Sequence, residues 1–533
     1  MRASRLAIPL LSLAAAACGS GDSDPVTESL GSLLPSNQLP GVSQPTPFAS
    51  GCDFVGQNGS TSYPDAEVEP SFAINPLNEA NVIGVWQQDR WSNGGAHGVL
   101  AASSSDAGQT WALRQATFSR CSGGSVANDG DFARSTDPWI SIGADGIAYW
   151  MALAFFVPEV PNAMRVARST DGGLSWDTPV TLIEDSGGEF NDKNSVTADP
   201  YTAGYAYAVW DRLDNAGHGP AWFSRTTDGG LSWEPAKIIY DPGAGAQTIG
   251  NQVVVLPDGT LVNLLTQIFY DPAPGTAVLA VVRSTDHGVN WSGPVVVADL
   301  LAIGASDPQS GTAVRDGGII GEITASPAGT LYVAWQDSRF SGGARDGIAL
   351  AMSVDGGLSW TSPVQVNAVP AVQAFTPSLA VTPDGKLGDT YFDIRDNTGG
   401  SSLPTGYWLA VNASGDAVSF EERRIAAPFD LRYAPIAGGL FLGDYQGLKA
   451  TSGGFSLFFV TANHSTRNRT DVRYLVALTP DVGPAKALAG YRAGEAPALR
   501  ITPEWRAKLA DKVERSRHHF PDRDVPEYLR RAS

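Results

Sequence analysis

Ser104-Ser105-Asp106-Ala107-Gly108-Gln109-Thr110-Trp111 recurs in altered form at Ser169 to Trp176, Thr226 to Trp233, Ser284 to Trp291 and Ser353 to Trp360. The shared pattern is Ser/Thr-x-Asp-x-Gly-x-x-Trp, and its aspartates, Asp106, Asp171, Asp228, Asp286 and Asp355, are spaced by 65, 57, 58 and 69 residues. A period of this length fits a four-stranded unit with variable loops. In each copy the Asp carboxylate can accept backbone N–H bonds inside a turn, Gly supplies a backbone conformation closed to other residues, and Trp plugs the gap between neighbouring strands. A residue repeated in every unit cannot be a unique active site, so the five motifs build the fold.

Each motif is preceded by a two-strand pattern. The openings are Glu69-Pro70-Ser71-Phe72, Asp137-Pro138-Trp139-Ile140, Asn194-Ser195-Val196-Thr197, Asn251-Gln252-Val253-Val254, Glu322-Ile323-Thr324-Ala325, Thr376-Pro377-Ser378-Leu379 and Asp444-Tyr445-Gln446-Gly447. Several turn through Pro-Asp-Gly, as at Pro257-Asp258-Gly259 and Pro383-Asp384-Gly385, into a second apolar strand. Units that bury both sheet faces only by stacking on their neighbours make a β-propeller. Seven openings predict an all-β propeller of seven blades, with six as the rival count. The seventh unit lacks the Asp motif, so a strand from near residues 50 to 68 is expected to close the ring.

Composition agrees. The 533 residues are 43% hydrophobic and 17% charged, with 59 Gly, 36 Pro and 14 Trp against four Met, which excludes general disorder and an all-helical fold. A formal charge of −19 gives no support to nucleic-acid binding, which needs Lys and Arg to neutralise phosphates. No Gly-Lys-Ser/Thr phosphate loop, Gly-x-Ser-x-Gly elbow or His-Glu-x-x-His pattern occurs.

The ends of the chain read differently. Arg2 and Arg5, the apolar run Leu6 to Leu13, and Ala15-Ala16-Ala17-Cys18 resemble a bacterial lipoprotein signal, which implies lipidation at Cys18 and an extracytoplasmic place, anchored or secreted. Removing Cys18 leaves Cys52 and Cys121 as a pair suited to an oxidising compartment. The expected organisation is a signal over 1–18, a flexible tether over 19–50, the propeller over 51–484 and an extension over 485–533. In that extension Thr502-Pro503-Glu504 starts a helix.

With its five boxes the chain resembles the sialidase, or Asp-box (BNR) repeat, superfamily of β-propellers over roughly residues 65 to 480. The boxes mark that fold and say little about activity, because enzymes and non-enzymes share them. The resemblance implies a site on the channel face, where first strands begin and second strands end. The residues so placed are Glu69, Asp137, Asn194, Asn251, Glu322, Thr376 and Asp444, with Arg90, Arg212, Arg339 and Arg395 at second-strand ends. Convergent arginines suit an acidic sugar, since the guanidinium fork holds a carboxylate with two bonds. The competing reading is that each Arg pairs with its neighbouring Asp.

By resemblance Tyr445, in Asp444-Tyr445-Gln446-Gly447-Leu448, takes the nucleophile position, and Asp346 is a candidate acid/base in the fifth unit. The departures are Val68-Glu69-Pro70-Ser71 where the family has an Arg-containing strand, and Gly250-Asn251-Gln252 where the helper Glu normally stands. Asp129, Asp131 and Asp137 offer oxygen donors of the kind Ca²⁺ takes, but without the spacing of a full calcium loop, so a solvated turn is the favoured reading. No cofactor is expected. Two functions follow: an exo-sialidase-like glycoside hydrolase acting on acidic glycans, or a non-catalytic propeller that binds glycan or protein on the same face. The expected partner is an acidic glycan or a cell-surface molecule, with membrane contact through the lipid alone.

Overall fold

The computed structural model describes residues 34–35, 38–55, 60–156, 161–215, 217–270, 275–478 and 500–517, so Cys18 lies outside the described residues. Antiparallel meanders follow one another along the chain. They are β1–β4 (Ser62–Asn75, Asn78–Trp91, Ala96–Ser104, Ala112–Arg114), β5–β8 (Arg134–Ile142, Ala148–Phe155, Asn162–Ser169, Val180–Asp185) and β9–β12 (Phe190–Ala198, Ala206–Leu213, Ala221–Thr226, Lys237–Tyr240). Next come β13–β16 (Ala246–Val255, Leu261–Phe269, Thr276–Ser284, Val295–Asp299), the two-residue β17 (Val314–Arg315) and β18–β21 (Glu322–Ala325, Leu331–Asp337, Gly347–Ser353, Val364–Gln365). The series ends with β22–β25 (Ala374–Val381, Leu387–Asp393, Pro404–Asn412, Glu421–Arg424), β26 (Phe429–Asp430), β27 (Leu440–Phe441) and β28–β30 (Gly447–Thr451, Gly454–Ala462, Thr470–Leu478). Helix α1 covers Pro503–Arg517. Among the described residues no helix is long and apolar enough to cross a membrane. The protein is all-β with one helix, in a β-propeller-like arrangement.

The repeated motif explains how the meanders stack. In every copy the Ser/Thr hydroxyl donates to the Asp carboxylate at 2.7–2.8 Å and accepts the N–H of the glycine four residues on at 2.8–3.0 Å. The Asp also accepts the N–H four residues further along at 2.9–3.0 Å. These bonds hold the glycine in a left-handed conformation that brings it against the preceding meander. A Cβ on Gly288 would lie 2.4 Å from Phe223, and one on Gly108 would lie 2.1 Å from Tyr474. The second of these contacts joins the first meander to the last. Inside the stack Trp86, Trp150, Trp210 and Trp335, one from each of four second strands, are fully buried.

Closure differs in part from expectation. Gly41 pairs antiparallel with Arg473, and Val42 N–H donates to Val472 O at 2.9 Å, so a segment near 41 adds to β30, while from within the expected 50–68 stretch Ala66 of β1 pairs in parallel with Thr470 of the same strand. Residues 50–55 are occupied by turns that place Cys52 beside Cys121, with a Cα–Cα distance of 5.0 Å and the disulfide formed; from Ser62 the chain is already β1.

The first strands β1, β5, β9, β13, β18, β22 and β28 line a common cavity of about 610 Å³. Hydrogen bonds stitch neighbours: Ser195 Oγ donates to Asn251 O at 2.8 Å, and Thr197 Oγ1 to Val253 O at 2.7 Å. The strand starts gather at one end of this cavity and the Asp-box turns lie at the other, because β3, β7, β11, β15 and β20 each run away from the strand starts into a box.

Two outcomes are expected. Ser353→Ala leaves the buried Gly357 N–H without its acceptor and should cost about 1–2 kcal/mol in urea unfolding. Hydrogen bonds from the residues four positions on hold the Asp106, Asp228 and Asp286 carboxyls down at about 2. A depressed folded-state value gives stability that is complete above the unfolded value of roughly 4 and is lost as pH falls through about 2, so thermal melts should show a loss confined to that acid window.

Candidate functional site

Four first strands share a device that aims a side chain at the axis. Glu69, Asp137, Lys193 and Thr376 have φ of 54°, 50°, 45° and 54°, each within a break in register between the first and second strands. Gly250 occupies the same place in β13 with φ 69°. The third and fourth units therefore present Lys193 and Gly250 where the sequence pattern pointed to Asn194 and Asn251. Those two asparagines serve the scaffold instead. Asn194 Nδ2 donates to Asp137 O at 2.9 Å, and Asn251 Oδ1 accepts from Asn263 at 2.8 Å.

Lys193 is the node of the site. Its Nζ lies 2.6 Å from Asp444 Oδ2, 3.0 Å from Asp137 Oδ1 and 3.3 Å from Glu69 Oε1, so residues from three meanders meet on one ammonium. Arg315, from β17, adds a fork to Asp444 at 2.6 and 3.1 Å. Arg90, at the end of β2, makes one hydrogen bond, from Nη1 to Gln87 Oε1 at 2.7 Å, and Gln87 in turn donates to Glu69. Arg90 Nε has no hydrogen-bond partner among the described residues although the residue is only 2% exposed. Both guanidiniums lie over Phe441, at 5.0 Å for Arg90 and 4.3 Å for Arg315. Of these groups Arg90, Asp137, Lys193, Arg315 and Asp444 line a cleft of about 90 Å³, and Glu69 lies buried behind Lys193.

Burial and charge sort the carboxyls. Burial pushes Glu69 up to about 8, with Lys193 opposing and Asp137 and Asp444 reinforcing the shift. Burial works the same way on Asp444, but Arg315 and Lys193 hold it well below the usual carboxylate range. Burial and then the neighbouring Arg315 lower Arg90 to about 10. Asp192 also lines the cleft and stands directly across from Asp211; burial, and the Asp192 charge after it, raise Asp211 well above an ordinary aspartate. Lys193 thus joins a raised carboxyl, Glu69, to a lowered one, Asp444, and of the two it is Asp444 that lines the cleft.

The structure brings Glu69, Asp137, Asp444 and Arg90 together. It leaves the other three expected arginines in ion pairs at strand ends. Arg212 meets Asp185 at 2.6 Å, Arg339 meets Asp337 at 2.7 Å, and Arg395 meets Asp393 at 2.5 Å together with Glu422. Arg395 also stacks 3.5 Å over Trp408. Tyr445 is buried with its hydroxyl donating to Pro138 O at 3.0 Å and its ring against Trp139; burial and the surrounding carboxylates, Glu69 first, raise it well above an ordinary phenol. A phenol so placed is a poor nucleophile.

Asp346 accepts the N–H groups of Ile303 and Gly304 at 2.9 and 2.7 Å and so braces a loop; burial raises it to about 7. Glu322 lines the 610 Å³ cavity, and Thr376 Oγ1 donates to Asp316 O at 3.0 Å. Asp131 pairs with Arg120 at 2.7 Å, Asp137 belongs to Lys193, and Asp129 ends a short 3₁₀ turn, so the three calcium candidates do not converge. Among the described residues no group of three or more His, Cys, Asp or Glu is placed to hold a metal.

No family model matches the chain, and no curated protein matches it. Solved structures similar to it include a protein of unknown function from Dyadobacter fermentans (12% identity, 78% of this chain and 99% of that one, TM-score 0.42) and a Hadza microbial sialidase (15%, 74% and 73%, 0.42). The α-L-arabinofuranosidase of Fusarium graminearum is another (15%, 66% and 94%, 0.42).

Replacing the node should be severe. Lys193→Met leaves Asp137 and Asp444 buried without their shared cation, which should cost about 3–5 kcal/mol at pH 7. The deficit should shrink as pH falls and the stranded carboxylates take up protons, a trend that chemical unfolding at a series of pH values would measure.

Proposed function

We propose that the chain is a seven-bladed β-propeller that receives the acidic end of a glycan in the cleft around Lys193, with Arg90 holding the sugar carboxylate. Seven meanders in sequence, with the first seated on the last, support the blade count. The observation that carries the function is Arg90. Lys193 meets three carboxyl groups and Arg315 meets Asp444, whereas the buried Arg90 guanidinium has, among the described residues, the neutral Gln87 amide as its hydrogen-bond partner and the Phe441 ring beneath it. A buried unpaired cation is costly, and a ligand carboxylate on its free edge would offset that cost with charge-assisted bonds. The placement proposed for the protein is extracytoplasmic, lipid-anchored at Cys18 or secreted.

A second reading, hydrolysis of the bound glycan, is favoured by the split between protonated Glu69 and ionised Asp444. Opposed carboxyl states are what an acid donor and a charge-stabilising carboxylate need. To protonate the leaving oxygen Glu69 would have to turn from Lys193 and Gln87 into the cleft, and turnover would then fall as pH rises through about 8.

Titration of purified protein against galacturonate, glucuronate, sialic acid and their neutral counterparts tests both readings. Arg90→Ala should weaken acidic-sugar binding by about 10- to 100-fold, the loss of one charge-assisted contact, while Arg395→Ala leaves it unchanged. Glu69→Gln should keep binding and abolish any turnover. Equal affinity for acidic and neutral sugars, or an unaffected Arg90→Ala variant, would contradict the assignment.

A further inference from the structure

Helix α1 lies against the cleft and is held there by two close approaches. The Trp505 indole donates from Nε1 to Ser338 Oγ at 2.8 Å and covers Gly343, where a Cβ would come within 2.3 Å of the ring. Ala510 sits on Gly275, where a Cβ would come within 2.6 Å. From this seat the helix sends Lys512 Nζ to Asp316 Oδ1 at 2.6 Å. Asp316 is fully buried and also accepts Ala305 N–H at 2.6 Å, Gly318 N–H at 3.0 Å and Gln336 Nε2 at 3.1 Å, so its carboxylate is fixed in direction.

This ion pair stands between two spaces. Asp316 and Lys512 line the 90 Å³ cleft that contains Arg90 and Lys193. On the other side Gly304, Lys508 and Asp511 line an open groove of about 710 Å³, and a Cβ on Gly304 would lie 3.2 Å from Lys512 Nζ. The cleft alone is far smaller than the roughly 300–1,000 Å³ typical of small-molecule sites, while the groove falls within that range. The Lys512–Asp316 pair lies between them, backed on the groove side by the Gly304–Ala305 backbone.

We propose that α1 sets chain-end specificity: the Lys512–Asp316 pair closes the cleft behind a single terminal acidic sugar and bars internal units from the groove beyond. The ligand in this proposal rests on the acidic-glycan reading; the partition rests on the geometry alone. Lys512 is then a specificity-determining residue, and Trp505 is the anchor that keeps it in place.

The full chain carrying Thr136→Cys, at a position that lines the cleft, tests the partition without any sugar. Labelling at position 136 is followed by peptide mass spectrometry with methyl methanethiosulfonate and with the bulky fluorescein maleimide. Lys512→Met keeps the aliphatic stem and removes the charge; Trp505→Ala unseats the helix, and near-ultraviolet circular dichroism checks that the propeller is retained. Either change should raise the bulky reagent's rate about tenfold or more while the small reagent's rate stays within about threefold, as opening of a wall requires. An unchanged bulky rate in both variants overturns the partition. Titration with galacturonate and linear tri-galacturonate reads the specificity: the trimer's affinity relative to the monomer should rise about tenfold in the variants. An unchanged ratio overturns the specificity role. Changed labelling with no sugar bound by any form upholds the partition and rejects the acidic-glycan reading.

Discussion

A serine or threonine hydroxyl that accepts one glycine N–H and donates to one aspartate orders this molecule. By holding that glycine against the side chains of the preceding meander, it sets the distance and angle between successive units, and Gly108 on Tyr474 carries the series from the last unit to the first. With the boxes at one end, the starts of the first strands must gather at the other. The register breaks at Glu69, Asp137 and Lys193 then turn those side chains inward. The site is therefore a consequence of stacking, assembled from residues that lie hundreds of positions apart.

Gathering charges at an axis raises an electrostatic problem that the arrangement solves unevenly. Three carboxyl groups converge on Lys193, and Arg315 compensates Asp444 a second time. Burial raises Glu69 to about 8, and burial and the Asp192 charge raise Asp211 well above an ordinary aspartate. Of Lys193, Arg315 and Arg90, it is Arg90 that has no hydrogen-bonded carboxylate among the described residues, although Glu69, Asp137 and Asp444 act on its charge from farther off. In a buried network otherwise balanced in this way, the proposed ligand carboxylate would offset that imbalance.

The fold was legible because its decisive bonds are local: every box lies within eight consecutive residues, so the repeat can be read without knowing the tertiary structure. The site was half legible. Glu69 and Asp137 stand out because proline follows each, but Lys193 is followed by Asn194, and matching Asn194 to Asp137 shifts the third unit by one residue. Counting back two positions from Ser195, as Glu69 stands from Ser71, would have found the lysine. Arg315 and Lys512 come from segments outside the repeat, where no period predicts position. Arg339 and Arg395 follow an aspartate at a spacing of two, and that short spacing favours the local ion pair over convergence on the axis. The closing segment near Gly41 is too short to announce itself as a strand.

The central claim is that the Arg90 edge is a carboxylate site. A crystal structure of the protein soaked with a uronic acid tests it most directly. The account predicts the sugar carboxylate within hydrogen-bond distance of Arg90 Nε and its neighbouring guanidinium nitrogen, with Lys193 still on Glu69, Asp137 and Asp444. A sugar bound elsewhere on the molecule, or Arg90 paired with a carboxylate of the protein itself, would contradict it.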